Sequence, residues 1–183
     1  MSRQRRFLPA ELTGDRLALY DAIASGPRSQ GPQAFPLTDP DGVLRGPFND
    51  FLLAPRLGDA LQQLGAAVRY ATALSARQRE IAVLVVAQHW DSAFERESHE
   101  AVGRAAGLTE AELTDLRAGR RPELEDAAEA ACWALTRALV RGDVDDATWA
   151  ACMPPLDQET VFELTTLVGY YATLALQLRV FRV

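Results

Sequence analysis

The chain has 183 residues, 48% of them apolar and 24% charged, which fits one globular domain with a sizeable core and sets aside global disorder. Its formal net charge of −6 leaves no broad basic patch to neutralise phosphates, so nucleic acid is not an expected partner. All 19 basic residues are arginine, which removes Schiff-base lysines, a pyridoxal phosphate anchor and a Walker lysine from consideration.

In chain order, the N-terminal MSRQRRFLPAEL has no apolar run long enough for a signal peptide, and Arg3, Arg5 and Arg6 read as a solvated terminus. A short helix is expected around Asp15 to Ser25. Gly26 to Asp50 is too rich in proline and glycine for regular structure, and Phe35, Leu44, Phe48, Phe51 and Leu52 would anchor it as an ordered wrap. We therefore divide the chain into a helix and wrap over 1–45 and a helical domain over 46–183.

From Leu57 onward the sequence reads as successive helices, and the fold class is all-α. Leu57, Leu61, Leu64 and Val68 form the apolar stripe of a helix ending near Arg69. Ser75 with Gln78 makes a capping box for a helix over Ala76 to His89, whose Ile81 to Ala87 is apolar throughout and must be buried on all sides. Thr109 with Glu112 is a second capping box, opening a short helix that stops near Gly119. Glu123 to Arg141 reads as a helix with acidic start and basic end, and Asp145 to Cys152 as two further turns. The last helix, Gln158 to about Val180, is apolar around almost its whole circumference. A core helix that also packs on another subunit suits it better than a membrane span, given Glu163, Gln177, Arg179 and the threonines.

Cys132 and Cys152 lie 20 positions apart, so no CxxC pair, metal-ligand set or disulfide framework is expected, and the cytoplasm is the expected compartment. The chemistry-bearing residues concentrate between Arg79 and His99. Glu80 precedes the apolar run and reads either as a surface partner of Arg77 or Arg79 or as the floor of a pocket. Glu95 and His99 are four apart and share one helix face, where a carboxylate can set the imidazole tautomer for proton transfer. Ser92 and Glu95 also spell S-x-x-E at a helix start, so Glu95 reads equally as a capping residue. His89 sits at a helix end, where it complements the dipole. Trp90 and Phe94 fit either core or cavity wall.

Glu80, Trp90, Phe94, Glu95 and His99, with Ala105-Ala106-Gly107-Leu108 after them, resemble the carboxymuconolactone decarboxylase family of the alkylhydroperoxidase D-like superfamily. Gly46-Pro47-Phe48 and Phe51 to Pro55 are similar to the loop entering that family's first helix. In the redox branch the pattern is Glu, eleven residues, CxxC, three residues, His; here Glu80 and His99 are in register while Ser92 and Glu95 stand at the cysteine positions. Without a thiol pair, dithiol peroxide reduction is excluded. The decarboxylase-like branch reads aromatic, Glu, three residues, His, as do Phe94, Glu95 and His99.

The resemblance implies an all-helical subunit of a homotrimer or homohexamer. It also implies a cofactor-independent lyase or isomerase acting by acid/base chemistry on a small anionic cyclic or lactone substrate. His99 would transfer the proton, Glu95 and Glu80 would orient or relay, an arginine not identifiable from sequence would hold the substrate carboxylate, and Trp90, Ser92 and Phe48 would contact the substrate. No metal or membrane is called for. The competing expectation is a non-catalytic ligand-binding or assembly protein on the same scaffold, which a pocket without convergence of His99 and an acid would favour. A redox role for Cys132 or Cys152 is the least supported reading, since neither lies in the motif.

Overall fold

A computed structural model describes residues 2–26, 29 and 35–183. The helices are α1 (Gly14–Ala24), α2 (Pro47–Phe51), α3 (Pro55–Tyr70), α4 (Ala76–His89), α5 (Ala93–Ala105), α6 (Glu110–Arg117), α7 (Ala127–Leu139), α8 (Asp146–Cys152) and α9 (Gln158–Phe181). Among the described residues there is no strand; a lone bridge joins Thr38 and Leu44.

Helix α4 is the centre of the bundle, packed by α5, α6, α7 and α9. Its apolar circumference has a direct cause: it divides two cores. Ala82, Val83 and Val86 face the larger one, with Leu164, Leu167, Leu174, Leu135 and Val68, while Ile81, Leu84 and Val85 face Leu108, Leu113 and Leu116 around α6. Phe7, Leu12, Leu19, Ile23 and Leu44 enter the larger core too, so the N-terminal segment shares one interior with the helices that follow. Each such aliphatic side chain contributes about 1.5–3 kcal/mol when fully buried.

Local chemistry sets most helix ends. The Ser75–Gln78 and Thr109–Glu112 capping boxes both form, with side-chain and backbone bonds reciprocated. Asp145 and Asp157 cap α8 and α9, and Gly119 follows α6 at φ +69°. Arg77, on the first turn of α4, donates to Glu129 at 2.7 Å, to Glu112 at 2.6 Å and to the Gly107 carbonyl, tying α4 to α6 and α7. These bonds to two carboxylates hold its guanidinium firmly charged.

Three sequence expectations are corrected. The helix expected from Glu123 begins at Ala127, because Asp126 accepts from the backbone N–H of Ala128 and Glu129 and so fixes the N-cap there. On α3, Leu57 is 61% and Leu64 39% exposed; the buried face is Gly58, Gln62, Gly65 and Val68. Gly58 faces α2 closely enough that a Cβ would lie 2.3 Å from the Phe51 carbonyl oxygen, so backbone proximity, not leucine, sets that contact. Within the segment expected to be irregular, 47–51 is helical and Leu44, Phe48, Phe51 and Leu52 are buried; residues 27, 28 and 30–34 of that wrap lie outside the described ones.

Helix α9 spans the expected range and is long and apolar enough to cross a membrane by length and composition. Its Leu164, Leu167, Val168, Tyr170, Tyr171, Leu174, Ala175 and Leu178 are nevertheless buried by protein, against α2, α3, α4 and α7. Phe162 and Val180 remain 73% and 58% exposed.

Candidate functional site

Three elements converge beside the central helix. Glu80 lies one turn into α4, just ahead of the apolar run, and is 1% exposed. His99 projects from the middle of α5 and places Nδ1 2.7 Å from Glu80 Oε2. A carboxylate only accepts, so Nδ1 carries the proton in this pair and Nε2 is left as the basic nitrogen. The other Glu80 oxygen has Arg79 Nε at 3.7 Å, while Arg77 is committed to Glu112 and Glu129. The Tyr171 ring meets the imidazole edge to face at 5.1 Å and limits its rotation.

Next to this pair is a cavity of about 30 Å³ lined by Phe35, Pro47, Phe48, Arg69, Phe94, Glu95, Ser98, His99, Tyr170, Tyr171 and Leu174. Helix periodicity explains why Glu95, Ser98 and His99 share it: at i, i+3 and i+4 they occupy one face of α5. Glu95 is 3% exposed, and neither carboxyl oxygen has a hydrogen-bond partner among the described residues. Burial pushes its carboxyl up to about 8, with the Ser92 hydroxyl, outside hydrogen-bonding geometry, opposing weakly. At neutral pH Glu95 is therefore mainly the protonated acid, poised to donate.

The two sequence readings of Glu95 are both corrected. Ser92 precedes α5 as its N-cap residue, but its side chain makes no capping bond and the S-x-x-E box does not form. The partner that sets the His99 tautomer is Glu80, 19 positions away, rather than Glu95 four positions away. Glu95 keeps its place at the cavity with a different character, an unpartnered acid.

The expected wall residues separate. Phe48 lines the cavity. Trp90 packs against the larger core and the His89 ring instead. Ser92 opens on an adjoining recess with Ala175, Leu178, Arg179 and Arg182, divided from the cavity by Phe94. Phe94 owes its position to Gly46, which has φ +60° and lies so near that a Cβ would fall 2.2 Å from the ring. Arg69, Ser98, Tyr170 and Tyr171 went unread as site residues, since a last-turn arginine and two tyrosines in an apolar helix carry no signal beyond dipole and core.

A larger groove of about 540 Å³ lies between α6 and α7, lined by Glu112, Asp115, Glu123, Glu125, Asp126 and Glu129. Its acids are largely engaged: Glu112 and Glu129 with Arg77, Asp115 with Arg120, Asp126 as an N-cap. The described residues contain no cluster of histidine, cysteine and acids fit to hold a metal. Cys132 and Cys152 are buried and unpaired, and burial pushes the Cys132 thiol up to about 12, away from the thiolate form that redox chemistry uses.

The model of the carboxymuconolactone decarboxylase family matches residues 55–138, a stretch that holds Glu80, Glu95 and His99. Among solved structures, a protein of unknown function from Agrobacterium tumefaciens, described as a candidate antioxidant defence protein AhpD, is similar with a TM-score of 0.67. It is 18% identical, and the match covers 75% of this chain and 96% of that one. At that identity the likeness is one of fold. No curated protein matches the chain.

Proposed function

We propose that the chain, whose residues 55–138 match the model of the carboxymuconolactone decarboxylase family and which lacks the CxxC pair, is an acid/base enzyme, a decarboxylase-like lyase or an isomerase. Its substrate is a small anionic cyclic or lactone compound. The observation that carries this reading is the buried Glu80–His99 pair at 2.7 Å, set at a cavity that also holds the unpartnered Glu95.

The chemistry follows from the two protonation states. In an isomerisation, His99 Nε2 takes a proton from a carbon beside a carbonyl, the electron pair moves onto the carbonyl oxygen, and Glu95 donates to the developing enolate. The imidazolium is stabilised by the Glu80 carboxylate and returns the proton at carbon. In a decarboxylation the carbon–carboxylate bond breaks instead, carbon dioxide leaves, and the protonated Glu95 delivers its proton to the enolate carbon, water then reprotonating Glu95. Side chains deliver every proton in this scheme, and no cofactor enters it. A pocket in which His99 met no acid would have favoured a non-catalytic binder; the contact with Glu80 supports catalysis.

The test is His99→Ala assayed on a panel of lactone and oxo acids for carbon dioxide release and deuterium uptake at carbon. A loss of about 10²- to 10⁴-fold with an unchanged helical spectrum is expected. Full retained turnover would overturn the assignment. We further propose a homotrimer or homohexamer, supported by the apolar residues left exposed on α3 and α9, among them Leu57, Leu64, Phe162 and Val180, and a cytoplasmic location, supported by the two unpaired cysteines.

A further inference from the structure

The arginine that would meet an anionic substrate is decided by elimination around the cavity. Arg77 is bonded to Glu112 and Glu129, Arg79 lies 3.7 Å from Glu80, and Arg117 and Arg104 lie 2.6 and 3.7 Å from Glu100. Arg96 stands 3.8 Å from Asp91. Arg69 differs from all of these. It sits on the last turn of α3, lines the cavity, and forms no ion pair among the described residues; its guanidinium lies over the Tyr70 ring at 5.6 Å.

The second observation is Glu95, at the same cavity, 3% exposed and with both oxygens unpartnered among the described residues. Burying a polar group without a partner is costly unless a ligand satisfies it. Arg69 and Glu95 therefore line one space, walled otherwise by Phe35, Phe48, Phe94, Tyr170 and Tyr171. The space is about 30 Å³, room for about two waters, which limits the part of a ligand that enters to a short body. A guanidinium at the rim pairs bidentately with a carboxylate, while the buried end matches a carbonyl-type oxygen.

We infer that Arg69 is the residue that reads the carboxylate, and that a second oxygen of the same molecule meets Glu95, so the site selects short oxo or lactone carboxylates over their neutral counterparts. This rests on the acid/base reading of the same cavity, and the experiment separates the two. The stable probe 4-oxopentanoate and its neutral methyl ester are titrated in D₂O by ligand-observed NMR against the wild type, Arg69→Ala, Arg69→Lys and His99→Ala, with Arg69→Gln in reserve should the alanine variant lose its helical spectrum.

The acid is expected to bind the wild type, to bind Arg69→Ala roughly tenfold or more weakly, and to recover in part with lysine. The ester should bind wild type and Arg69→Ala alike. Equal affinity of the acid for wild type and Arg69→Ala, a preference for the ester, or no binding of the acid to the wild type overturns the inference. Deuterium uptake beside the probe's carbonyl is read in the same samples. Arg69-dependent binding without uptake in any form retains the carboxylate site and removes the acid/base reading; uptake without Arg69-dependent binding does the reverse.

Discussion

Replacing Glu95 by glutamine should change how stability depends on pH more than it changes the structure. The carboxyl is raised from its ordinary 4.5 to about 8, chiefly by burial. The folded state therefore binds the proton more tightly than the unfolded chain. The corresponding stabilisation is fully present below pH 4.5 and is lost as pH rises through about 8. Each pH unit in that window is worth about 1.4 kcal/mol, so the whole span amounts to about 5 kcal/mol, and roughly two-thirds of it is already lost at pH 7.

Glutamine keeps the shape and the neutral state but cannot ionise. In urea unfolding at fixed protein concentration, the stability of Glu95→Gln minus that of wild type should climb steadily from pH 5 to pH 8 and then level. Asp50, which burial raises to about 6, adds a slope of the same sign to both proteins and cancels in the difference. A difference that stays flat from pH 5 to pH 9 would mean that Glu95 ionises as an ordinary surface acid, and the donor role assigned to it would fall.

Glu80→Ala should cost about 1–3 kcal/mol in urea unfolding, because the buried His99 Nδ1 loses its acceptor, and nitrogen NMR of the imidazole should show the tautomer no longer held. Thr109→Ala should cost about 1 kcal/mol through its capping box, whereas Ser92→Ala should be neutral or stabilising because the buried Ser92 hydroxyl bonds to nothing; equal losses at both would contradict the cap assignment. Gly46→Ala should destabilise by about 2 kcal/mol and displace Phe94 from the cavity wall, seen as altered ring resonances in NMR. Phe162→Asp should lower the mass measured by light scattering if α9 packs against a second copy, and an unchanged oligomer would place the interface elsewhere.

Residues close in sequence encoded much of this protein by themselves. The bounds of α4 and α6 follow from Ser75–Gln78 and Thr109–Glu112, since a cap is satisfied within three residues and needs no tertiary partner. The full burial of Ile81 to Ala87 was likewise legible, because no polar position interrupts the run. The family pattern marked Glu80, Glu95 and His99 as a location. What each acid does there was decided only by packing. An S-x-x-E at the start of α5 has the spacing of a cap, yet burial of Glu95 against the aromatic walls leaves it an unpartnered acid, and Glu80 crosses from α4 to take the imidazole. Arg69 is the same case at the rim: as a last-turn arginine it is one of 19 in the sequence, and it acquires meaning only where α3 ends beside the cavity and no carboxylate among the described residues pairs with it. Hydrogen bonds within a turn can be read from spacing, whereas a charge's surroundings depend on helices far apart in the chain, so the sequence by itself determined the helices and the neighbourhood of the site, and the tertiary structure alone decided which of its charged groups are paired and which, among the described residues, are not.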